Sequence, residues 1–245
     1  MAVTLRHDQQ HHRQLALPVQ LPVHASFATF VSGKNEAAVK HLRGLLSQAW
    51  RPEQQFSLLV GGHGQGKSHL LCALSEAAAE GQLQSIYLPL SELQQPNAVQ
   101  ILHGLETYDL IVLDDIDAVT ANREWAEGLF ALINRLTDQR HGWMVMSAQQ
   151  NANTMPIELA DLRSRLQIAV TFKLDALTDA EKFRALHQHA KMRGIELPKE
   201  VGEFLLLRVE RDMHALMALL DRLDKASMAQ QRRLTVPFVK QVLKL

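Results

Sequence analysis

The chain has 245 residues, of which 47% are hydrophobic and 21% charged, an ordinary composition for a globular protein. Its 26 basic and 26 acidic side chains balance, so a dedicated DNA-binding domain, which is usually basic, is not the first expectation. The single cysteine, Cys72, excludes an intramolecular disulfide. No apolar stretch has the length of a membrane span or the position of a signal peptide, so we expect a cytoplasmic location and no membrane partner.

Strand and helix patterns divide the chain into three parts. Residues 1–24 are polar, rich in glutamine and histidine, and predict an extended tail. In residues 25–175, apolar runs alternate with helical patterns, which is typical of an α/β domain with a parallel sheet, and residues 176–245 carry only helical patterns. The expected strands are 56–60, 84–88, 110–113, 143–147 and 168–172; the expected helices are 35–49, 67–80, 123–138, 159–166, 178–193, 198–208, 211–229 and 235–244.

The segment from Gly61 to Ser68 has the form G-x-x-x-x-G-K-[S/T], between an apolar strand and a helix. Glycines permit positive φ angles and let backbone N–H groups surround an anion, and the helix adds its positive dipole end. The Lys67 ammonium group can reach the β- and γ-phosphates, and the Ser68 hydroxyl can bind Mg²⁺. We therefore predict a site for ADP or ATP with Mg²⁺, formed by Gly61, Gly62, His63, Gly64, Gln65, Gly66, Lys67, Ser68 and His69.

Two acids, Asp114 and Asp115, follow the apolar run that begins at Leu110. In open parallel sheets ligands bind at the carboxyl ends of the strands, so these acids are expected beside the phosphate loop. Asp114 can bind Mg²⁺ through water, and Asp115 can polarise an attacking water, although an aspartate reaches less far than a glutamate.

Four further residues have both a functional interpretation and a purely structural one. Ser147 ends the next strand, where its hydroxyl could contact the γ-phosphate or simply terminate the strand. Arg163 and Arg165, one residue apart near a helix end, cannot both face inward; one could reach a γ-phosphate bound to a neighbouring molecule, or both could be solvated. Arg211, at the start of a long amphipathic helix, could reach the nucleotide across a cleft or lie on the surface.

Several segments together resemble the AAA+ family, and within it the branch of the bacterial replication initiator DnaA. The resemblance covers residues 26–244 and rests on F-A-T-F-V-S-G-K-N-E, L-D-D-I-D, L-R-S-R-L, R-D-M-H-A-L and T-V-P-F-V-K-Q-V-L. It implies an AAA+ phosphate-loop core with a five-stranded parallel sheet, followed by a small all-helical lid domain. It also implies that Arg165 is the arginine finger, Arg211 the sensor 2 arginine and Ser147 the sensor 1 residue.

We expect this protein to lack two DNA-handling parts of these relatives. DnaA carries a helix-turn-helix domain after its lid, and this sequence ends at Leu245 without one. DnaA and the helicase loaders insert an extra helix before the strand-terminal acids. Only about twenty residues separate the Tyr87 strand from the Leu110 strand, too few for that insertion and an ordinary helix. We expect no direct sequence-specific DNA binding.

The tail contains Q-L-A-L-P-V at residues 14–19, which resembles the Q-L-x-L-P-L peptides that bind the sliding clamp, the β subunit of DNA polymerase III. An extended apolar segment can become ordered in a hydrophobic groove, with the glutamine side chain fixing its register. The resemblance thus implies the clamp-binding residues Gln14, Leu15, Leu17, Pro18 and Val19, with Val19 in place of the usual leucine.

The combination is similar to that of a negative regulator of replication initiation. It implies that the tail docks on the DNA-loaded clamp, that the core holds ADP and packs against ATP-bound DnaA, and that Arg165 enters the active site of DnaA and stimulates hydrolysis. Two alternatives stay open: a self-sufficient ATPase that acts as a motor or helicase loader, and a clamp-bound adaptor in which the nucleotide is purely structural. A homo-oligomer also stays open, because AAA+ sites usually lie between subunits.

Overall fold

The computed structural model of the protein describes residues 25–47, 49–93, 95, 97–208 and 212–244. The expectations for the tail (1–24), for the clamp-binding residues and for Arg211 fall on residues outside these ranges. The clamp-binding residues in question are Gln14, Leu15, Leu17, Pro18 and Val19.

A five-stranded parallel sheet with the spatial order β2-β3-β4-β1-β5 forms the centre of the first domain. Both β3 and β4 are buried at every position, because helices cover the two faces of the sheet. Val60 pairs with Ala148, and Leu113 pairs with Met146, so the carboxyl ends of β1, β3 and β4 lie side by side. The strands are β1 (Phe56–Val60), β2 (Ser85–Pro89), β3 (Leu110–Asp114), β4 (Trp143–Ala148) and β5 (Val170–Lys173).

Two pairs of helices enclose this sheet. Side chains alternate across a strand, so Leu59 of β1 packs with α1 and α2, whereas Leu58 packs with α3 and α4 on the opposite face. None of the helices in the described ranges is both long and apolar enough to cross a bilayer. The helices are α1 (Glu36–Ser47), α2 (Lys67–Glu80), α3 (Arg123–Gln139) and α4 (Ala160–Ile168).

The C-terminal helices form a lid with a hydrophobic core of its own, in which Phe238 is fully buried. The first helix begins with a capping box: the Thr178 hydroxyl accepts from the Glu181 N–H, and the Glu181 carboxylate accepts from the Thr178 N–H. Thr235 likewise caps the last helix. The four helices are α5 (Asp179–Met192), α6 (Lys199–Arg208), α7 (Met213–Gln230) and α8 (Val236–Leu243).

The fifth strand begins later than the sequence predicts. Ile168 is the last residue of α4, not the first of a strand, and β5 starts at Val170. Isoleucine favours strands, but the helical hydrogen bonds of α4 extend over it, and Ala169 then turns the chain into the extended conformation. Ile168 is consequently 70% exposed at the surface.

The connection from β2 to β3 contains only short 3-10 helices in its described part, namely Leu90–Glu92, Ala98–Leu102 and Leu105–Thr107. Residues 94 and 96 of this connection are outside the described ranges. The arrangement agrees with the expectation that this stretch is too short for the DNA-handling helix of DnaA and the helicase loaders.

Candidate nucleotide site

The phosphate loop lies between β1 and α2, as its motif predicts. Gly64 and Gly66 adopt φ angles of +70° and +87°, which residues with a Cβ rarely adopt. A Cβ on Gly66 would also lie 2.8 Å from Cε2 of Phe30, so this glycine allows residue 30 to pack under the loop. The Gly61 N–H donates to the carbonyl oxygen of Ala148 at 3.1 Å and ties the loop to the end of β4.

Lys67 is buried, and its ammonium group stays at the loop. Its Nζ donates to the carbonyl oxygens of Gly61 at 2.8 Å and Gly62 at 3.1 Å. The Gly62 N–H donates to Oε1 of Gln65 at 2.5 Å, which closes the loop on itself. Ser68, half-buried, follows Lys67 as the second residue of α2. The loop thus presents a cation and a hydroxyl side by side, the pair that a nucleotide phosphate and its metal ion require.

The acids at the end of β3 are held in a hydrogen-bond network. The Ser147 hydroxyl donates to Oδ1 of Asp114 and accepts from the Asp115 N–H at 2.9 Å. The Tyr87 hydroxyl donates to Oδ2 of Asp114 at 2.7 Å. Because the Ser147 hydroxyl donates its only proton to Asp114, its role in this structure is to position the two acids. Its contact with the γ-phosphate stays a prediction.

Asp115 adopts a left-handed conformation with φ +54° and lies half-buried. Burial and the charge of Asp114 raise the pKa of its carboxyl group, and the Lys67 ammonium group partly offsets that rise. A raised pKa makes an ionised carboxylate a better proton acceptor, as a general base requires.

The donors present suit magnesium. Hydroxyl and carboxylate oxygens are the ligands that Mg²⁺ prefers, and it commonly retains several waters. Ser68 would hold the ion directly and Asp114 through water, since each oxygen of Asp114 accepts one hydrogen bond from the protein and keeps a second lone pair. When bound, the ion would neutralise charge on the phosphates.

Tyr87 is a site residue that the sequence analysis did not single out. Its role depends on the parallel pairing of β2 with β3 in the folded sheet, which brings Tyr87 near the end of β3. Burial and the neighbouring Asp114 raise the pKa of its hydroxyl, so Tyr87 stays a donor. Beside it, Cys72 is buried, and burial raises the pKa of its thiol to about 12, so the group stays protonated and unreactive.

Replacing Tyr87 by phenylalanine is expected to lower the free energy of unfolding by about 1.5–3 kcal/mol, because buried Asp114 loses a donor to a charged group. Urea denaturation would measure the change. Tyr108→Phe is the matched control, since its hydroxyl makes no hydrogen bond among the described residues. Equal losses for the two variants would contradict the importance of the Tyr87 bond.

His69 faces the segment before α1. Its Nε2 lies 3.1 Å from both the Thr29 hydroxyl and the Ser26 carbonyl oxygen, and burial lowers its pKa. Its ring packs against Phe30 and against His189 of α5, with centroids 5.5 and 5.7 Å apart. His69 thus joins the phosphate-loop helix to the lid, and its predicted contact with the nucleotide stays a prediction.

The two arginines of α4 have different surroundings. Arg163 donates to four backbone carbonyl oxygens in residues 152–157, at 2.6–3.4 Å. Arg165 makes no hydrogen bond or ion pair with any described residue and lines a surface cavity of about 470 Å³ together with Trp50, Phe56 and Arg140. Arg163 therefore fixes the preceding loop, and Arg165 leaves its guanidinium group available.

The strand order, the phosphate loop after β1, the acids after β3 and the helical lid define an AAA+ protein. Two family models match the chain: the bacterial DnaA ATPase domain over residues 21–173, and the lid domain of Hda over residues 179–243. The chain therefore belongs to the DnaA-related family of AAA+ replication proteins, as an Hda-like member.

The chain is also similar to one known sequence, and it shares its fold with solved structures of DnaA. An uncharacterized protein of Haemophilus influenzae is 37% identical over 233 residues, which cover 95% of this chain and 99% of the relative. Domain III of DnaA from Thermotoga maritima has a TM-score of 0.79 and 18% identity, and the match covers 92% of this chain and 98% of that one. AMPPCP-bound DnaA from Aquifex aeolicus has a TM-score of 0.67 and 18% identity, with coverages of 85% and 67%.

Proposed function

We propose that the protein limits replication initiation by stimulating ATP hydrolysis in DnaA while bound to the sliding clamp. In this proposal the chain holds ADP or ATP with Mg²⁺ at its own phosphate loop. Arg165 acts in the nucleotide site of DnaA, where a guanidinium group stabilises the charge of the transition state. The product, ADP-bound DnaA, does not start a second round.

The observation that carries this proposal is the position of Arg165 relative to the phosphate loop of the same chain. Arg165 shares its cavity with Phe56, the first residue of β1, whereas the loop follows Val60, the last residue. Four steps along a strand span roughly 13 Å. An arginine at the far end of β1 is badly placed for its own nucleotide and, lacking a partner among the described residues, is suited to a neighbouring one.

The family supports the choice of partner. The lid match is to Hda and the core match is to DnaA, so both halves of the chain resemble replication proteins. The DnaA structure from Aquifex aeolicus is AMPPCP-bound, and this chain has a loop lysine and strand-end acids that suit a nucleotide of the same kind. Clamp binding rests on the Q-L-A-L-P-V segment of the tail alone.

The test is a single-turnover assay of hydrolysis by ATP-bound DnaA with DNA-loaded clamp. The intact protein is expected to accelerate hydrolysis, and a variant lacking residues 14–19 is expected to lose most of that acceleration while still binding nucleotide. No acceleration by the intact protein would contradict the proposal. Full acceleration without residues 14–19 would show that clamp binding through this segment is not required for the function.

A second candidate is a self-sufficient ATPase. It is favoured by Lys67, Ser68 and the Asp114–Asp115 pair, which together could support hydrolysis in this chain. ATP turnover by the protein alone, measured beside the DnaA assay, separates the two candidates. Turnover that matches the rate seen with DnaA present would favour the second.

A further inference from the structure

A contact between the lid and the phosphate loop is not explained by the proposed function. Nδ1 of His63, in the loop, lies 2.8 Å from Oδ2 of Asp212, the residue before α7. The ring of His63 also meets the ring of His214 edge-on, with centroids 5.4 Å apart. The two partners are 149 positions apart in the sequence, so the contact ties two separate parts of the fold together.

Asp212 performs two tasks with its two oxygens. Oδ1 accepts from the His214 N–H at 2.9 Å and caps α7, while Oδ2 accepts from His63. The carboxylate also presses against Gly64, where a Cβ would overlap it. Gly64 therefore permits the lid carboxylate to lie directly on the loop.

A carboxylate at this place is electrostatically unusual, since phosphate loops collect positive potential for an anion. The His214 N–H and His63 outweigh the effect of burial and lower the pKa of Asp212, so it is ionised at neutral pH. The negative charge of the Asp212 carboxylate and that of a nucleotide's phosphates would then lie close together at the same loop and repel each other.

We propose that His63 and Asp212 form a clasp that holds the lid on the phosphate loop and lowers the affinity of the protein for nucleotide. Binding of phosphates at the loop weakens the clasp, and the clasp weakens binding of phosphates, because linkage between two sites is reciprocal. The charge of Asp212 thereby makes the contact between lid and loop depend on whether phosphates occupy the loop. This inference rests on the proposed nucleotide site.

The central test compares Asp212→Asn with Asp224→Asn in titrations of the full chain with fluorescent ADP and ATP. Asparagine caps a helix as well as aspartate does, so the first variant removes the charge and keeps the cap. Asp224 lies on the same helix, about 18 Å further along, and controls for the change in net charge. Asp212→Asn is expected to bind nucleotide roughly three- to tenfold more tightly, with the larger gain for ATP and a smaller gain at high salt.

A second measurement tests the mechanical part of the clasp. His63→Ala leaves the Asp212 cap on α7 intact but removes the bond to the loop. Amide hydrogen exchange at the start of α7 is expected to become roughly two- to fivefold faster, the range expected for an exposed polar pair. Unchanged exchange would overturn the role of His63.

The outcomes separate the clasp from the proposed function. If Asp212→Asn binds ADP and ATP no more tightly than Asp224→Asn, the clasp is wrong, whatever the DnaA assay shows. If the wild-type protein binds neither nucleotide, both the clasp and the nucleotide site are wrong. Tighter nucleotide binding by Asp212→Asn would support the clasp even if the wild-type protein did not stimulate hydrolysis in DnaA. That second result would contradict the proposed function.

Discussion

Replacement of Arg165 by alanine is expected to remove nearly all stimulation of hydrolysis in DnaA while nucleotide binding by the chain itself is unchanged. An arginine supplied by a partner raises hydrolysis rates in other NTPases by about three to five orders of magnitude. Arg165 has no hydrogen bond or ion pair among the described residues, so its removal should cost little stability. The single-turnover DnaA assay and a urea denaturation curve together measure both expectations.

The chain offers two arginine controls. Arg140 lines the same cavity and is exposed, so Arg140→Ala tests whether any cation on this surface suffices. Arg163→Ala should act differently, because it leaves four backbone carbonyl oxygens without their donor and destabilises the fold. Stimulation that survives Arg165→Ala, or that Arg140→Ala abolishes equally, would refute the finger assignment.

Lys67→Met is expected to weaken binding of ADP and ATP by at least about a hundredfold, since the loop loses the ammonium group that is expected to reach the β- and γ-phosphates. Methionine retains much of the apolar stem that lies buried in α2, so the fold should persist. Titration with a fluorescent nucleotide measures the loss, and Lys225→Met, on the exposed face of α7, controls for the lost charge.

The Lys67 result also bears on DnaA. If nucleotide sets the arrangement of core and lid, Lys67→Met should reduce stimulation of DnaA as well. Undiminished nucleotide affinity would mean that the loop is not the binding site. Undiminished stimulation with lost affinity would mean that nucleotide is dispensable for the partner's hydrolysis.

Sequence reasoning was most successful where the determining residues are adjacent in the chain. The phosphate loop is eight consecutive residues from Gly61 to Ser68, and the strand that ends at Asp114 is a continuous apolar run, so both could be read directly. Ile168 shows the limit of local preference: a β-branched residue was absorbed into α4 because the helical hydrogen bonds continue over it.

The missed residues depend on contacts between distant segments. Tyr87 reaches Asp114 only because β2 lies beside β3, and pairing order is not written in either strand. Asp212 was predictable as a helix cap, but nothing near it in the sequence indicates His63. The distinction between Arg163 and Arg165 likewise required the carbonyl oxygens of the loop before α4.

The placement of Arg165 and the phosphate loop at opposite ends of β1 has a consequence for symmetry. An interface that joins the arginine end of one AAA+ domain to the loop end of the next is heterologous, since it uses two different surfaces. Such contacts do not close as a two-fold dimer; they repeat, and every open row keeps one unused arginine and one unused loop. A copy of this chain that joined DnaA through Arg165 would therefore have a fixed polarity, with its own phosphate loop left unused at the open end.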